Sequence, residues 1–122
     1  MTMNRGLVFA GRGQYEDAVR LYREGMAMFQ ELGDTFHIAA CLTRMASVAA
    51  VTGEPESGAA MAGAAEAIRE KLGAALPAYE RAYYEPAVGA MEALLGEEKF
   101  REAWEKGREM SVEQAVDYGL GQ

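Results

Sequence analysis

Two side chains able to act as nucleophile, base or metal ligand, His37 and Cys41, lie four positions apart in the sequence. On a helix this spacing places both on one face. A structural zinc site takes about four protein ligands, and no third ligand stands near this pair. A nucleophile–base pair needs an orienting group, and none stands out. We therefore expect a packed thiol and a polar histidine, with no metal and no cofactor, and keep a small helical enzyme using Cys41 and His37 as an alternative.

Two other patterns are better explained by structure than by chemistry. Gly6 and Gly11 have the spacing of a phosphate loop, but Arg12 and Gly13 follow where Lys and then Ser or Thr are required. The carboxylates between Glu97 and Glu109 alternate with Lys and Arg, which predicts a solvated, ion-paired helix face. No catalytic residue is therefore predicted.

The aromatic residues before Pro86 leave two interpretations open. Tyr79 and Tyr83 lie four positions apart and share a face if this segment is helical. They could pack on a neighbouring helix or present a recognition patch. We favour packing.

Composition excludes several classes of protein. The chain has 122 residues, with 12 Lys and Arg against 19 Asp and Glu, for a net charge of −7. Nucleic-acid binding needs clustered positive charge, so no nucleic-acid partner is expected. A single cysteine forms no internal disulfide framework. No apolar run approaches the roughly 20 residues of a membrane span, so we expect no membrane association and a cytoplasmic location.

Glycine and proline divide the chain into helical segments. Apolar residues recur at three- and four-residue steps between Gly13 and Gly33, which predicts an amphipathic helix. Its inward face is predicted to contain Tyr15, Ala18, Val19, Tyr22, Met26, Phe29 and Leu32.

Five further helical segments follow. Residues 35–52 are apolar nearly all round, which predicts a helix buried on several sides. The next helix starts near Pro55 and ends at Gly73, with an inward face containing Gly58, Met61, Ala62, Ala65, Ile68 and Leu72. Residues 77–95 are helical in propensity, with a kink or restart expected at Pro86. Residues 97–110 and a last helix capped by Ser111 complete an all-α chain.

Internal repetition suggests how these helices are arranged. Shifting the chain by 40 residues aligns Val8–Gly33 with Val48–Gly73, with seven of 26 positions identical. Repeated helix–turn–helix units of similar length form α-solenoids. We therefore predict one domain over residues 1–122 built of antiparallel helix hairpins. Its units are residues 1–33, 34–73 and 74–110, followed by a capping helix over 111–119.

Two segments of the first unit resemble the tetratricopeptide family: Gly6-Leu7-Val8-Phe9 and Ala18-Val19-Arg20-Leu21-Tyr22. Residues 13–18, 29–34, 95–100 and 111–116 further resemble the C-terminal repeat region of bacterial LuxR-type and multidomain ATPase transcriptional regulators and of related cyclase-like signalling proteins. The resemblance implies a right-handed superhelix of about six to seven helices with a role in signal transduction or transcription regulation. It brings no ATPase or DNA-binding segment.

In proteins of this kind the first helix of each hairpin lines a concave groove. The resemblance thus implies a non-catalytic interaction or sensor module that holds a protein, a peptide or a small effector there. The implied groove residues are His37, Ala40, Thr43, Arg44, Ser47, Met3 and Leu7. The alternative is a structural homo-oligomerisation domain.

The sequence of the N-terminal hairpin also predicts self-association. Leu7, Val8 and Phe9 have little polar cover from upstream sequence, and terminal solenoid repeats usually carry a polar cap. Uncovered apolar surface favours self-association. We therefore expect a homodimer through this hairpin.

Overall fold

A computed structural model describes residues 14–121, and in that range the chain is helical without any strand. The six helices are α1 (Tyr15–Leu32), α2 (Thr35–Val51), α3 (Pro55–Leu72), α4 (Ala78–Leu95), α5 (Glu97–Arg108) and α6 (Val112–Gly119). The predicted all-α class is confirmed. Within residues 14–121, no helix is both long and apolar enough to cross a membrane.

Local signals set the helix ends as the sequence predicts. The Asp34 side chain accepts a hydrogen bond from the His37 amide at 3.1 Å and so caps α2. Gly33 and Gly73 end α1 and α3 with φ of 69° and 66°, a left-handed conformation that costs glycine little. The Ser111 hydroxyl accepts from the Gln114 amide at 3.0 Å, which completes a capping box on α6.

Of the kink or restart expected at Pro86, the restart is wrong, because α4 runs through this residue without interruption. A proline inside a helix removes one backbone hydrogen bond. Tertiary packing outweighs that loss here, since Glu80 and Tyr84 before the proline and Met91 after it are all buried.

The helix α2 lies at the centre of the domain, as its nearly all-round apolar sequence predicts. It packs against α1, α3, α4 and α6. The helix α3 packs on α5 about as closely as it packs on α2. Glycine residues allow the close contact between α3 and α5. A Cβ at Gly63 would overlap the Trp104 carbonyl oxygen, and one at Gly107 would overlap the Ala60 carbonyl oxygen. The backbones of α3 and α5 therefore approach to a distance that only glycine allows.

The last helix returns to the first. Arg23 Nε on α1 donates to the Gly119 carbonyl oxygen at 2.9 Å, across 96 residues of sequence. Gly119 also faces the Met26 side chain, and Val116 on α6 is fully buried. In a solenoid each repeat contacts only its neighbours. This contact between the first and last described helices does not follow that pattern, so the stacked arrangement is not established.

The predicted inward faces are correct except at their C-terminal ends. Tyr22, Met26, Phe29, Met61 and Ile68 are buried. Leu32 and Leu72, in contrast, are 72% and 47% exposed. Each is the last residue of its helix, where the following glycine turns the chain away and the next helix offers no cover. A helical period therefore overestimates burial in the final turn.

Candidate functional site

A cavity of about 570 Å³ opens between α1, α2 and α4. We call it the α2–α4 cavity. The helix α1 contributes Tyr15 and Tyr22 to its lining, and α4 contributes Tyr83 and Pro86. The helix α2 contributes Arg44, Ser47, Val48, Ala50 and Val51, and Ala87 and Ala90 on α4 complete the wall. The volume lies within the range of small-molecule sites, and the walls are mostly apolar as such sites usually are.

An ion pair is buried beside this cavity. Glu80 Oε1 on α4 accepts hydrogen bonds from Arg44 Nε at 3.1 Å and from Arg44 Nη2 at 2.9 Å. The two residues are only 5% and 4% exposed. Burial lowers the pKa of Arg44, but Tyr83 and Glu80 outweigh it, so the pKa is raised overall. Arg44 therefore stays a cation, and Glu80 balances its charge.

Two polar atoms next to the pair, on neighbouring side chains, have no hydrogen-bond partner at good geometry. They are Arg44 Nη1 and the Tyr83 hydroxyl oxygen, both buried. Burial raises the pKa of Tyr83, and the nearby Glu80 carboxylate raises it further. The phenol therefore keeps its proton. The Arg44 guanidinium lowers the pKa of Tyr83 by a smaller amount, through its charge and a hydrogen bond, so these two side chains interact with each other.

A second arginine, Arg69 on α3, contacts α2 and α4 on another side of α2. Arg69 Nη1 on α3 donates to the Thr43 hydroxyl at 2.6 Å, and its guanidinium lies 5.7 Å from the centre of the Tyr84 ring. The Thr43 hydroxyl in turn donates to the Ala39 carbonyl oxygen at 2.9 Å. Because neighbouring helix positions point about 100° apart, Thr43 serves the contact with α3 while Arg44 serves α4.

The groove residues expected from the sequence do not all line one cavity where the structure describes them. Arg44 and Ser47 line the α2–α4 cavity. Thr43 packs against Arg69, and Ala40 is half-buried without lining the cavity. Met3, Leu7, Val8 and Phe9 lie outside the described residues.

His37 belongs to a separate contact at the start of α2. Its ring stacks on Phe29 with centroids 4.8 Å apart, and Nδ1 lies 2.6 Å from Asp34 Oδ2. It lies two turns before Arg44, about 10 Å away along the helix axis, and is not among the residues that line the cavity. His37 therefore takes part in contacts at the start of α2 and not in the cavity wall.

Sequence reasoning missed the contributions of α1 and α4. The sequence predicts Tyr22 as a core residue, and for Tyr83 it favours packing while leaving a recognition patch open. Tyr83 does pack against the core, but it also lines the cavity and interacts with Arg44. The pair of tyrosines before Pro86 was the available signal. Nothing in the sequence linked it to Arg44, about 40 positions earlier.

The thiol of Cys41 has the properties of a core residue. It is fully buried, and burial raises its pKa from 9.0 to about 12. Nucleophilic cysteines need a thiolate, which a lowered pKa supplies. Among residues 14–121, no three His, Cys, Asp or Glu side chains are grouped so as to hold a metal ion.

Comparison with known proteins adds no relative to this picture. No protein-family model, no curated protein and no solved structure matches the chain.

Proposed function

We propose that this chain is a non-catalytic sensor module that binds a small effector in the α2–α4 cavity. The observation that carries the proposal is a mostly apolar cavity of about 570 Å³ with a buried guanidinium in its wall. Sites for small molecules combine apolar walls with a few placed polar groups that orient the ligand. Arg44, Tyr83 and Ser47 supply such groups here.

The position of the cavity suits a sensor. The helices α1 and α4 both pack against α2, and the cavity lies between them. An effector there would contact both helices at once and favour the conformation in which they are correctly spaced. A ligand shifts a conformational equilibrium through such differential contacts. The shift could then reach a partner protein through the outer surfaces of α1 and α4.

The chemistry of the side chains favours binding over catalysis. The buried Cys41 thiol remains protonated at neutral pH because its pKa is raised to about 12. His37 is engaged with Asp34 and Phe29 at the start of α2. The enzyme alternative therefore lacks an activated nucleophile in the part of the chain described.

The wider context of the proposal comes from sequence resemblance. The 40-residue offset and the tetratricopeptide-like segments support a relationship to repeat proteins of bacterial signalling and transcription regulation. Helix hairpins of that kind present binding surfaces for proteins and peptides. In this proposal the chain is a cytoplasmic tetratricopeptide-like module whose hairpins contact a protein partner while the cavity holds the effector.

The proposal is tested with N-phenyl-1-naphthylamine, a neutral probe that fluoresces in apolar sites. Wild type is expected to bind it with saturation at one site per chain. The variant Ala90→Trp places a large side chain in the cavity wall and should weaken binding by about tenfold or more, which is about 1.4 kcal/mol. Ala93→Trp is the matched control, since Ala93 is also exposed on α4 but does not line the cavity.

The outcomes separate clearly. Loss of binding in Ala90→Trp with unchanged binding in Ala93→Trp supports a ligand site in the cavity. Absence of saturable binding in wild type, or equal binding in the two variants, contradicts it.

A further inference from the structure

We infer that a second cavity binds a small zwitterion with an apolar side chain, such as a free apolar amino acid. This cavity has a volume of about 320 Å³ and is lined by residues of α1, α2, α3 and α6. We call it the α6 cavity. Among the described residues, only Val48 lines both this cavity and the α2–α4 cavity. The inference therefore goes beyond the proposed function, and either of the two can fail alone.

The positive charge in the wall of the α6 cavity belongs to Arg23 on α1, an exposed residue whose side chain is held in place. Its Nε donates to the Gly119 carbonyl oxygen at 2.9 Å. In the described part of the chain, Arg23 forms no ion pair, so Nη1 and Nη2 are left to a ligand. Gly121 leaves room beside Nη2, since a Cβ there would lie 3.4 Å from this atom. The terminal nitrogens of a guanidinium fixed in this way match the two oxygens of a carboxylate.

The negative charge in the wall belongs to Glu54, the N-cap residue of α3. Ser, Thr, Asp and Asn are preferred at an N-cap, because their short side chains accept hydrogen bonds from the first turn. The Glu54 carboxylate makes no capping hydrogen bond, and within residues 14–121 it has no ion-pair partner. Since Glu54 is exposed, its carboxylate is accessible to the ammonium group of a ligand.

These two opposite charges define the polar part of the ligand. Arg23 and Glu54 are the only charged side chains among the described residues that line the α6 cavity, and they form no ion pair with each other. A ligand with a carboxylate alone would leave Glu54 without a partner, and one with an ammonium group alone would leave Arg23 without one. A zwitterion pairs with both, and such charge complementarity also fixes its orientation.

The remaining wall of the α6 cavity determines the rest of the ligand. Its hydrocarbon comes from Val19, Met45, Val48, Ala49 and Met61. The Tyr118 hydroxyl donates to the Ser57 hydroxyl at 3.4 Å, so these two polar groups are engaged with each other. An apolar side chain gains affinity in proportion to the area that it removes from water. The volume of about 320 Å³ is near the lower limit of small-molecule sites, which fits a single amino acid.

The test titrates the full chain with L-leucine and with two analogues that keep its side chain. The analogue 4-methylpentanoate lacks the ammonium group, and 3-methylbutylammonium lacks the carboxylate. L-leucine is expected to bind with saturation, and about threefold or more tightly than either analogue, because each exposed ion pair adds a modest amount. Glycine, which keeps both charges without the side chain, should bind more weakly than L-leucine by about tenfold. No saturable binding of L-leucine, or an equal affinity for all four probes, overturns the inference.

NMR of the methionine methyl groups locates the binding site. Met45 and Met61 line the α6 cavity, so their methyl signals should shift as L-leucine is added. Met91 is fully buried but does not line the cavity, and its signal should stay in place. Saturable shifts at Met91 without shifts at Met45 and Met61 place the ligand elsewhere and overturn the inference.

Two charge variants test the role of each side chain. In Arg23→Gln, L-leucine should bind no more tightly than 3-methylbutylammonium, because the carboxylate has lost its partner. In Glu54→Gln, L-leucine should bind no more tightly than 4-methylpentanoate. Each comparison is made between probes within one variant, so a change in stability does not affect it. A wild-type preference for L-leucine in both variants overturns the assignment of the two charges.

Matched control variants are available on the same helices. Arg20 on α1 and Glu56 on α3 are exposed, and neither lines the α6 cavity. Arg20→Gln and Glu56→Gln should keep the wild-type order of the probes. If these controls lose the preference for L-leucine as Arg23→Gln and Glu54→Gln do, the preference reflects the net charge of the chain and not a site, which overturns the inference. None of these outcomes depends on naphthylamine binding in the α2–α4 cavity.

Discussion

Glu80 Oε1 accepts both hydrogen bonds that Arg44 gives to α4, from Nε at 3.1 Å and from Nη2 at 2.9 Å. The two residues lie 36 positions apart, and each is at least nine-tenths buried. The pair joins the central helix α2 to α4 at the wall of the cavity. Its two halves depend on each other, because either charge alone would be buried without compensation.

Removal of one partner should therefore cost more than removal of both. We expect Arg44→Met to lower the free energy of unfolding by about 3–5 kcal/mol, the usual cost of leaving a buried charge unpaired. The double variant Arg44→Met, Glu80→Met should recover most of that loss. Urea denaturation followed by circular dichroism measures all three proteins.

An exposed ion pair provides the control. Arg20 Nη2 lies 2.7 Å from Asp17 Oδ1, but the side chains are 68% and 44% exposed. Arg20→Met should change the free energy of unfolding by less than about 1 kcal/mol. If Arg44→Met has an equally small effect, the Arg44–Glu80 pair is open to water in solution.

A second prediction concerns the close contact of α3 and α5. Added methyl groups at Gly63 or Gly107 would meet backbone carbonyl groups that no side-chain rotation can move. We expect Gly63→Ala and Gly107→Ala each to lower the free energy of unfolding by at least about 1–3 kcal/mol, because overpacking forces the helices apart. Thermal and urea unfolding measure the change.

Gly89 is the matched control on α4, since a Cβ there would have no atom within 4 Å. Gly89→Ala should raise the free energy of unfolding by roughly 0.5–1 kcal/mol, because alanine is the better helix former. Stabilisation by alanine at all three positions would contradict the backbone contact between α3 and α5.

The features that can be predicted from the sequence are those that depend on residues close to one another in the chain. The ends of α1, α2 and α3 follow from Gly33, Asp34 and Gly73, whose backbone and side chains act within a few residues. The buried face of α1 follows from its period of three to four residues. These interactions are local, so a single sequence contains them.

The cavity and the return of α6 could not be predicted in this way. Both depend on contacts between distant residues: Arg44 with Glu80, and Arg23 with the Gly119 carbonyl. Arg44 stood out as the one full charge in an apolar helix, but many acidic residues could have paired with it. Only the packing of α4 on α2 brings Glu80, and no other acidic residue, to Arg44. The repeat offset favours a stack of neighbours and contains no signal for a contact between the ends.

A third prediction concerns self-association. The apolar residues Leu7, Val8 and Phe9, which lie outside the described residues, predict a homodimer. Light scattering at micromolar concentration is expected to give twice the monomer mass for wild type. The double variant Leu7→Glu, Phe9→Glu should give the monomer mass, because burial of two carboxylates opposes association. A monomeric wild type at high micromolar concentration would refute the dimer.

The last prediction concerns stability at alkaline pH. Burial raises the pKa of Cys41 from 9.0 to about 12, and burial also raises the pKa of Tyr22, Tyr83 and Tyr84. Above about pH 9 the unfolded chain loses the thiol proton while the folded chain keeps it. The stability that this thiol contributes is therefore complete below about pH 9 and is lost as the pH rises towards 12.

Urea denaturation between about pH 8 and 10.5 should show the free energy of unfolding falling with pH. The fall should be less steep in Cys41→Ala, because the tyrosines remain and only the thiol is removed. The comparison uses the slopes against pH, so the packing lost at Cys41 does not affect it. Equal slopes in wild type and variant would mean that the folded thiol titrates near its ordinary pKa. Cys41 would then be open to solvent, contrary to its position in the core beside Gly25.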